Sequence, residues 1–330
     1  MMERTRLAGT DIEVSRISLG TWAFGSDPMW GEQDDKASID VVSAALDAGI
    51  DFIDTAAGYA DGRSEEVLGR GLEGRRDRAV IATKVYKDLA GDPLIAACEA
   101  SLLRLGTDYV DAYYLHWPNP DIPVEASLEG LRALKEAGKI RIAGVCNFGP
   151  MNLAALRAAK DAGVVVLHQL PYSLFWRAIE YDILPETKAM GLDVVAYSVL
   201  AQGLLTGRYK SASEVPQSLH ATRFYGDGAH GEAGAEAEVF AALPALRRLA
   251  EASGMSLADL AIQWALAQPG VAVVLTGARS VAEIEANARA LDRQADAGVL
   301  AEATRISEPV KAKLGPNPDM WMNTAESRFS

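Results

Sequence analysis

Cysteine and histidine are scarce in this sequence. Its 330 residues include two cysteines, Cys98 and Cys146, and four histidines, none at the spacings typical of metal ligands. Two isolated thiols form no disulfide framework, so the apolar half of the sequence has to supply the stability of the fold. We therefore expect no metal and a reducing, cytoplasmic compartment.

Long apolar runs and a positive net charge are also missing. No stretch approaches ~18 consecutive apolar residues, and the first residues lack the apolar segment of a signal peptide, so no membrane partner is expected. The net charge is −13 and the isoelectric point is about 4.9. This charge argues against nucleic acid or an anionic membrane surface as the main partner. An anionic ligand would need a local positive pocket.

The sequence does contain a regular alternation of strand and helix patterns. Short apolar, β-branched runs predict eight strands, at residues 16–21, 51–56, 79–84, 110–116, 140–147, 164–170, 192–198 and 271–277. A period of 3.6 residues predicts helices at residues 34–49, 64–72, 92–106, 123–139, 150–162, 178–190, 236–253 and 280–290. Ser64 is expected to be the N-cap of the second helix.

Eight strand–helix units in this length fit an α/β fold, a (β/α)8 TIM barrel that forms one domain over residues 1–330. A doubly wound open sheet is the alternative. The segment before the first strand has hairpin character and is expected to cap the N-terminal mouth of the barrel. Residues 200–235 and 313–330 lack periodicity and predict long loops at the C-terminal face. The first of these is our candidate for a mobile lid.

The ends of the predicted strands carry polar residues or glycine. Barrel enzymes place their chemistry at the C-terminal ends of the strands, so these positions are candidates for an active site. Taken alone, each has an ordinary explanation, such as a capping acid for Asp54 or a solvated strand end for Lys84. Joint placement at one rim favours function. The candidates are Thr21, Asp54, Tyr59, Lys84, His116, Asn147, Gln169, Tyr197, Ser198 and Gly277.

Four of these residues make chemical sense as a group. The ammonium of Lys84 would favour the phenolate of Tyr59 and lower its pKa from the reference value near ~10. Asp54 would hold the ammonium charged, and His116 would hydrogen-bond an incoming oxygen. Such a site donates a proton to a carbonyl oxygen or removes one from an alcohol. Because none of these side chains supplies a hydride, a cofactor has to.

The chain resembles the aldo-keto reductase superfamily over essentially its whole length. Eight motifs carry the resemblance in the family's order, and together they are far more specific than any one of them. They are LGTW (19–22), FIDTAAGYADGRSEEVLGRGL (52–72), IATK (81–84), LLRLGTDYVDAYYLHWP (102–118), LKEAGKIRIAGVCNF (134–148), YSLF (172–175), VAYSVLAQGLLTGRY (195–209) and TGARSVAEIEANARAL (276–291).

The resemblance implies an oxidoreductase that interconverts aldehydes or ketones and alcohols. Asp54, Tyr59, Lys84 and His116 match its catalytic tetrad, with Tyr59 as the general acid that protonates the oxygen as a nicotinamide cofactor delivers hydride from its C4 to the carbonyl carbon. The cofactor contacts that it implies are Gly20, Thr21, Trp22, Asp54, Asn147, Gln169, Tyr197, Ser198, Leu200, Gln202, Gly203, Gly277, Ala278, Arg279, Glu283 and Asn287.

The choice between NADP(H) and NAD(H) depends on two residues. Arg279 would pair with a ribose 2′-phosphate, and this favours NADP(H). Glu283 would instead favour a ribose hydroxyl, which keeps an NAD-preferring sugar or alcohol dehydrogenase as an alternative. A second departure is Cys146, where the family usually has Ser, because a thiol is the weaker hydrogen-bond donor.

Aromatic residues near the rim predict the walls of a substrate pocket for a small carbonyl compound. The predicted pocket residues are Trp22, Trp30, Tyr86, Trp117 and Phe148. Trp176 lies near the same rim. For Trp30 and Trp176, packing of the loops against the barrel explains the aromatic ring equally well.

Two other function classes stay open, and each has a distinguishing observation. A Schiff-base aldolase would use Lys84 as its nucleophile, and borohydride would trap the substrate there. A non-catalytic, cofactor-binding channel subunit would bind NADP(H) without turnover. A monomer is the default expectation, with a homo-oligomer left open.

Overall fold

The computed structural model describes residues 2–226 and 228–329. Eight parallel strands close into a barrel in the order β10–β3–β4–β5–β6–β7–β8–β9. This confirms the predicted (β/α)8 fold and all eight strands to within two residues at each end. The strands are β3 (Ile17–Gly20), β4 (Phe52–Asp54), β5 (Val80–Val85), β6 (Val110–Leu115), β7 (Ile140–Cys146), β8 (Val165–Pro171), β9 (Asp193–Tyr197) and β10 (Val271–Gly277).

Helices surround the barrel, and eight of them fall on the predicted helical stretches. In the described part of the chain they are α1 (Asp35–Asp47), α2 (Arg63–Gly71), α3 (Gly91–Leu105), α4 (Val124–Glu136), α5 (Pro150–Ala158), α6 (Ile183–Ala189), α7 (Glu236–Ala252), α8 (Leu257–Leu266), α9 (Val281–Ala288) and α10 (Ala297–Leu314). None of them is long and apolar enough to cross a membrane.

Helices α8 and α10 were not predicted. Helix α8 is apolar almost all round, because it packs between the barrel and α10 and buries eight of its ten residues. A helix buried on all sides has no amphipathic period to detect. Helix α10 carries Pro309 in its interior, a residue that usually marks the end of a helix.

The start of α2 differs from the prediction. Ser64 is not the N-cap, because the helix begins one residue earlier, after Gly62 with its positive φ of 89°. The Ser64 hydroxyl instead donates to the carbonyl oxygen of Thr21 at 2.8 Å and lies 3.0 Å from the Thr55 hydroxyl. It thereby fastens the first turn of α2 to the loops that follow β3 and β4.

An N-terminal hairpin closes the lower end of the barrel, as predicted. Strands β1 (Arg4–Arg6) and β2 (Glu13–Ser15) pair antiparallel. The side chains of Leu7 and Val14 are fully buried in the apolar cluster of the barrel interior. The carboxylate of Asp193, at the start of β9, accepts the Ala8 N–H at 2.6 Å. Bonds of this kind hold the hairpin to the N-terminal ends of the strands.

The two irregular segments lie on the opposite side. Residues 200–235, apart from Asp227, which lies outside the described residues, contain only short 3₁₀ turns, at Ala201–Thr206, Ala212–Glu214 and Gln217–Ala221. After α10, residues 315–329, which we call the C-terminal tail, run back across the barrel mouth. The tail ends with Phe329 buried beside Gly149, at the start of α5.

Candidate active site

A cavity of about 1130 Å³ opens at the C-terminal ends of the strands. Most of the residues proposed from the sequence line it: Gly20, Thr21, Trp22, Trp30, Asp54, Tyr59, Tyr86, His116, Trp117, Asn147, Gln169, Tyr197, Ser198, Leu200, Gln202, Gly203, Gly277, Ala278, Arg279, Glu283 and Asn287. Lys84 lies behind the wall and is fully buried. Phe148, predicted for the substrate pocket, does not line the cavity and packs in the hydrophobic core, as Trp176 also does.

Strands β4 and β5 bring an acid, an ammonium and a phenol into one hydrogen-bonded group. Lys84 Nζ donates to Asp54 Oδ1 at 2.5 Å and to the Thr55 carbonyl oxygen at 2.8 Å. It also lies 3.2 Å from Tyr59 Oη. The other carboxylate oxygen of Asp54 accepts Gln169 Nε2 at 2.8 Å. The ammonium is thus held by oxygen atoms on three sides and directed at the phenol.

The electrostatics of this group differ in part from the expectation. Burial raises the pKa of Tyr59 to about 12, although Lys84 acts to lower it. The expected lowering of the phenol pKa is therefore wrong, because desolvation of the phenolate outweighs the nearby charge. Burial lowers the pKa of Lys84, but Asp54 and Tyr59 outweigh this effect and raise it above its usual value. At neutral pH, Tyr59 carries its proton and Lys84 its charge.

His116 follows β6 and faces Tyr59. The two rings meet edge to face, with their centroids 5.8 Å apart. Burial, and secondarily the charges of Lys84 and Arg328, lower the pKa of His116 well below its usual value. Its Nδ1 atom is buried and has no hydrogen-bond partner within residues 2–226 and 228–329. The site therefore presents a neutral imidazole beside the phenol.

The next strand ends are tied to one another by side chains. Tyr197 Oη donates to Asn147 Oδ1 at 2.9 Å, and Asn147 Nδ2 donates to the His116 carbonyl oxygen at 3.1 Å. Asn147 and Ser198 have φ values of 61° and 54°, a region that L residues rarely adopt. Strain of this kind costs about 1–3 kcal/mol per residue and is concentrated at functional sites.

Gln202 is the clearest sign that the cavity takes a polar ligand. Its amide nitrogen and its amide oxygen are both buried, and neither has a hydrogen-bond partner among the described residues. Its backbone is also left-handed, with φ at 54°. Because a buried, unsatisfied amide is costly, this arrangement is expected of a group that a ligand completes.

The far end of the cavity holds a charged cluster around Glu283. The carboxylate of Glu283 accepts the Arg279 N–H at 2.7 Å and lies 3.5 Å from Arg208 Nη2. The Arg279 guanidinium donates to Gln33 and to the Glu32 carbonyl oxygen. Arg208 was not singled out from the sequence, although it lies in the motif quoted for residues 195–209. This end thus carries two arginines and one acid.

Indole rings line the catalytic end of the cavity. The Trp22 ring stacks on the Tyr59 ring with 6.0 Å between ring centroids, and it meets the Trp30 ring edge to face with 5.6 Å between centroids. Trp117 and Trp321 approach each other at 6.3 Å. Trp321 and Arg328 line the cavity and belong to the C-terminal tail, which the sequence marked only as an irregular segment at the C-terminal face. The presence of a Trp and an Arg in that irregular segment was the available signal.

Comparisons with known proteins show which family the chain belongs to. The sequence model of the Aldo/keto reductase family matches residues 16–308, and the chain therefore belongs to that family of oxidoreductases. The Bacillus subtilis aldo-keto reductase YhdN is 39% identical, with 94% of this chain and 96% of the relative covered. An Escherichia coli NADH-specific methylglyoxal reductase is 32% identical, with 93% and 100% covered.

A solved structure extends the likeness to three dimensions. The aldo-keto reductase from Klebsiella pneumoniae, crystallised in complex with NADPH, superposes with a TM-score of 0.75. It is 32% identical in sequence, and the alignment covers 98% of this chain and 99% of that one.

Proposed function

We propose that this protein is an NADP(H)-dependent oxidoreductase that reduces aldehydes or ketones to alcohols, or catalyses the reverse reaction. The observation that carries the proposal is the contact between Tyr59 Oη and Lys84 Nζ at 3.2 Å, with Asp54 behind the ammonium and the phenol facing the cavity. A protonated phenol whose conjugate base lies next to a fixed cation is a general acid for a carbonyl oxygen.

The side chains divide the proton chemistry among them. A substrate oxygen placed between Tyr59 and His116 accepts a hydrogen bond from each and then receives the Tyr59 proton. The resulting phenolate is stabilised by Lys84, whose charge Asp54 in turn stabilises. The indole walls exclude water, which strengthens these interactions. In the reverse direction the phenolate removes the proton from the alcohol.

The cavity residues fit a nicotinamide dinucleotide. The amide of Gln202, unpartnered among the described residues, offers a donor for a pyrophosphate oxygen, or a donor and an acceptor for a carboxamide. Asn147 and Gln169 would hold the carboxamide, Tyr197 would stack on the ring, and Arg279 would meet a ribose phosphate. When bound, this cofactor supplies the hydride, which no amino-acid side chain can donate. The NADPH bound to the Klebsiella relative supports this assignment.

The test is Tyr59→Phe, assayed for NADPH-dependent reduction of a panel of aldehydes. We expect kcat to fall about 10²–10⁴-fold, because the proton donor is removed, while the Kd for NADPH stays unchanged. Tyr181→Phe, which removes an exposed phenol that does not line the cavity, is the matched control. Wild-type turnover in Tyr59→Phe would refute the proposed acid.

An NAD-preferring dehydrogenase is the second candidate. Glu283 already binds the Arg279 backbone N–H and lies 3.5 Å from the Arg208 guanidinium, so it competes with a phosphate for both groups. The NADH-specific relative supports this candidate. Tryptophan-fluorescence titration with NADPH and NADH distinguishes the two, since Arg279→Ala weakens only NADPH binding if the phosphate is recognised there. The aldolase alternative is disfavoured because Lys84 is charged and lies behind the cavity wall.

A further inference from the structure

A buried carboxylate fixes the end of the C-terminal tail. Asp319 is fully buried, and its two oxygens accept Arg328 Nε and Nη2, each at 2.8 Å. The Arg328 and Trp321 backbone N–H groups bind the same carboxylate at 3.1 and 3.0 Å. The Asp319 carboxylate thus accepts four hydrogen bonds, and it fixes the position of the Arg328 guanidinium from the buried side.

The same guanidinium faces the catalytic half of the cavity. It lies 3.8 Å from the centroid of the Trp117 ring and 5.6 Å from that of Trp321, and all three side chains line the cavity. The side chain of Arg328 is 32% exposed, whereas Asp319 lies behind it and does not line the cavity. The bonds to Asp319 use Nε and Nη2, so Nη1 takes no part in them.

Arg328 is the cation of this half of the cavity. Its charge is one of the causes that lower the pKa of His116, so its field reaches the catalytic group. Lys84 does not line the cavity, and its ammonium binds Asp54 and the Thr55 carbonyl oxygen behind the wall. Among the described lining residues, the other cations, Arg208 and Arg279, lie at the far end beside Glu283.

We propose that Arg328 recognises a carboxylate on the substrate, so that this enzyme acts on carbonyl compounds that carry a carboxylate group. This inference rests on the proposed carbonyl reduction. A guanidinium fork matches a carboxylate better than it matches a second carbonyl or a hydroxyl. The surrounding indoles lower the local dielectric and strengthen a charge-assisted bond. With a net charge of −13 over the whole chain, such a site has to be local, as it is here.

The experiment compares 4-carboxybenzaldehyde with its methyl ester, using NADPH as reductant. The ratio of their kcat/KM values is expected to favour the acid about tenfold or more in the wild type. In Arg328→Met the ratio falls by about the same factor, mainly through the KM of the acid, and Arg328→Lys restores part of it. Added salt lowers the wild-type ratio, because the contact is ionic.

A control variant separates the effect of the Arg328 charge from the effect of a loosened C-terminal tail. Phe329→Ala loosens the tail, because Phe329 packs on Trp117 at 5.5 Å, but it keeps the guanidinium. It should affect both substrates alike and leave the ratio unchanged. The inference is overturned if the acid-to-ester ratio of kcat/KM is near one in the wild type, or if Arg328→Met has the same ratio as the wild type.

A binding measurement keeps this inference distinct from the proposed function. Calorimetric titration of the NADP⁺-loaded protein with benzoate and with benzamide needs no turnover. Benzoate should bind more tightly than benzamide in the wild type and lose that advantage in Arg328→Met. If neither aldehyde is reduced, the proposed function fails while this comparison still decides the anion site. Equal binding of benzoate and benzamide refutes the site.

Discussion

At the scale of single residues, the pKa of Tyr59 determines how the two reaction directions respond to pH. Reduction requires the protonated phenol, which persists far above neutrality because burial raises the pKa of Tyr59 to about 12. We therefore predict a kcat for reduction that stays flat from about pH 6 to pH 10, whereas alcohol oxidation, which requires the phenolate, rises with pH. Initial rates in both directions measure this. A reduction rate that already declines near pH 8 would contradict it.

Lys84→Met provides the sharper form of the same prediction. Removing the ammonium removes the main interaction that lowers the Tyr59 pKa. Oxidation should then require still higher pH, and reduction should slow because the phenolate formed lacks its counter-charge. The double variant Lys84→Met/Asp54→Asn is the control, because it removes the buried carboxylate that the single variant leaves unpaired.

At the scale of elements, the start of helix α2 connects the Tyr59 loop to strand β5. Glu65 is fully buried; its carboxylate accepts Thr83 Oγ1 at 2.5 Å and Arg104 Nε at 2.6 Å. Thr83 immediately precedes Lys84, and Tyr59 lies at the start of the turn that leads into α2. Glu65 thereby joins the two segments that carry the general acid and its counter-charge.

Glu65→Gln should lower the free energy of unfolding by about 1–3 kcal/mol, because it leaves Arg104 without its carboxylate. It should also lower kcat while changing KM less, because Glu65 no longer fixes the segments that carry Tyr59 and Lys84 relative to each other. Glu66→Gln, one residue further, removes an exposed pair with Arg63 and should cost under about 0.5 kcal/mol. Urea denaturation and steady-state kinetics measure both. Equal effects of the two substitutions would argue against an anchoring role.

The elements also show what could be read from the sequence. The eight strands were predictable because strands inside a barrel are apolar and bounded by turns, and the polar residues at their ends marked the rim. Helix α8 was not predicted because it has no polar face. The pKa of Tyr59 was expected in the wrong direction because the sequence shows which charge is near but not how deeply the phenol is buried. Arg328 was missed because only the folded tail brings it to the cavity.

At the scale of the whole molecule, the two irregular segments are fastened to each other. Arg223, in the 200–235 loop, is 4% exposed and donates to the carbonyl oxygens of Asn317 and Leu314, each at 2.9 Å. Its backbone N–H binds the Met320 carbonyl oxygen at 2.8 Å. The loop borders the proposed cofactor site, and the tail supplies Trp321 and Arg328 to the substrate end. The buried guanidinium of Arg223 thus connects the loop beside the proposed cofactor site to the tail beside the substrate end. We propose that the whole chain folds as one domain.

We predict that Arg223→Met loosens the 200–235 loop and the C-terminal tail together, because the carbonyl oxygens of Asn317 and Leu314 lose their donor. The KM for a carbonyl substrate and the Kd for NADPH should both rise, and proteolysis within 200–235 should quicken. Saturating NADPH should slow that cleavage in the wild type if the loop closes over the cofactor. Arg305→Met is the matched control, because Arg305 lies on the exposed face of α10 and pairs with Glu302 on the same helix. A rise in KM without a rise in Kd would mean that Arg223 holds the tail alone, so that the 200–235 loop covers the cofactor independently of the substrate pocket.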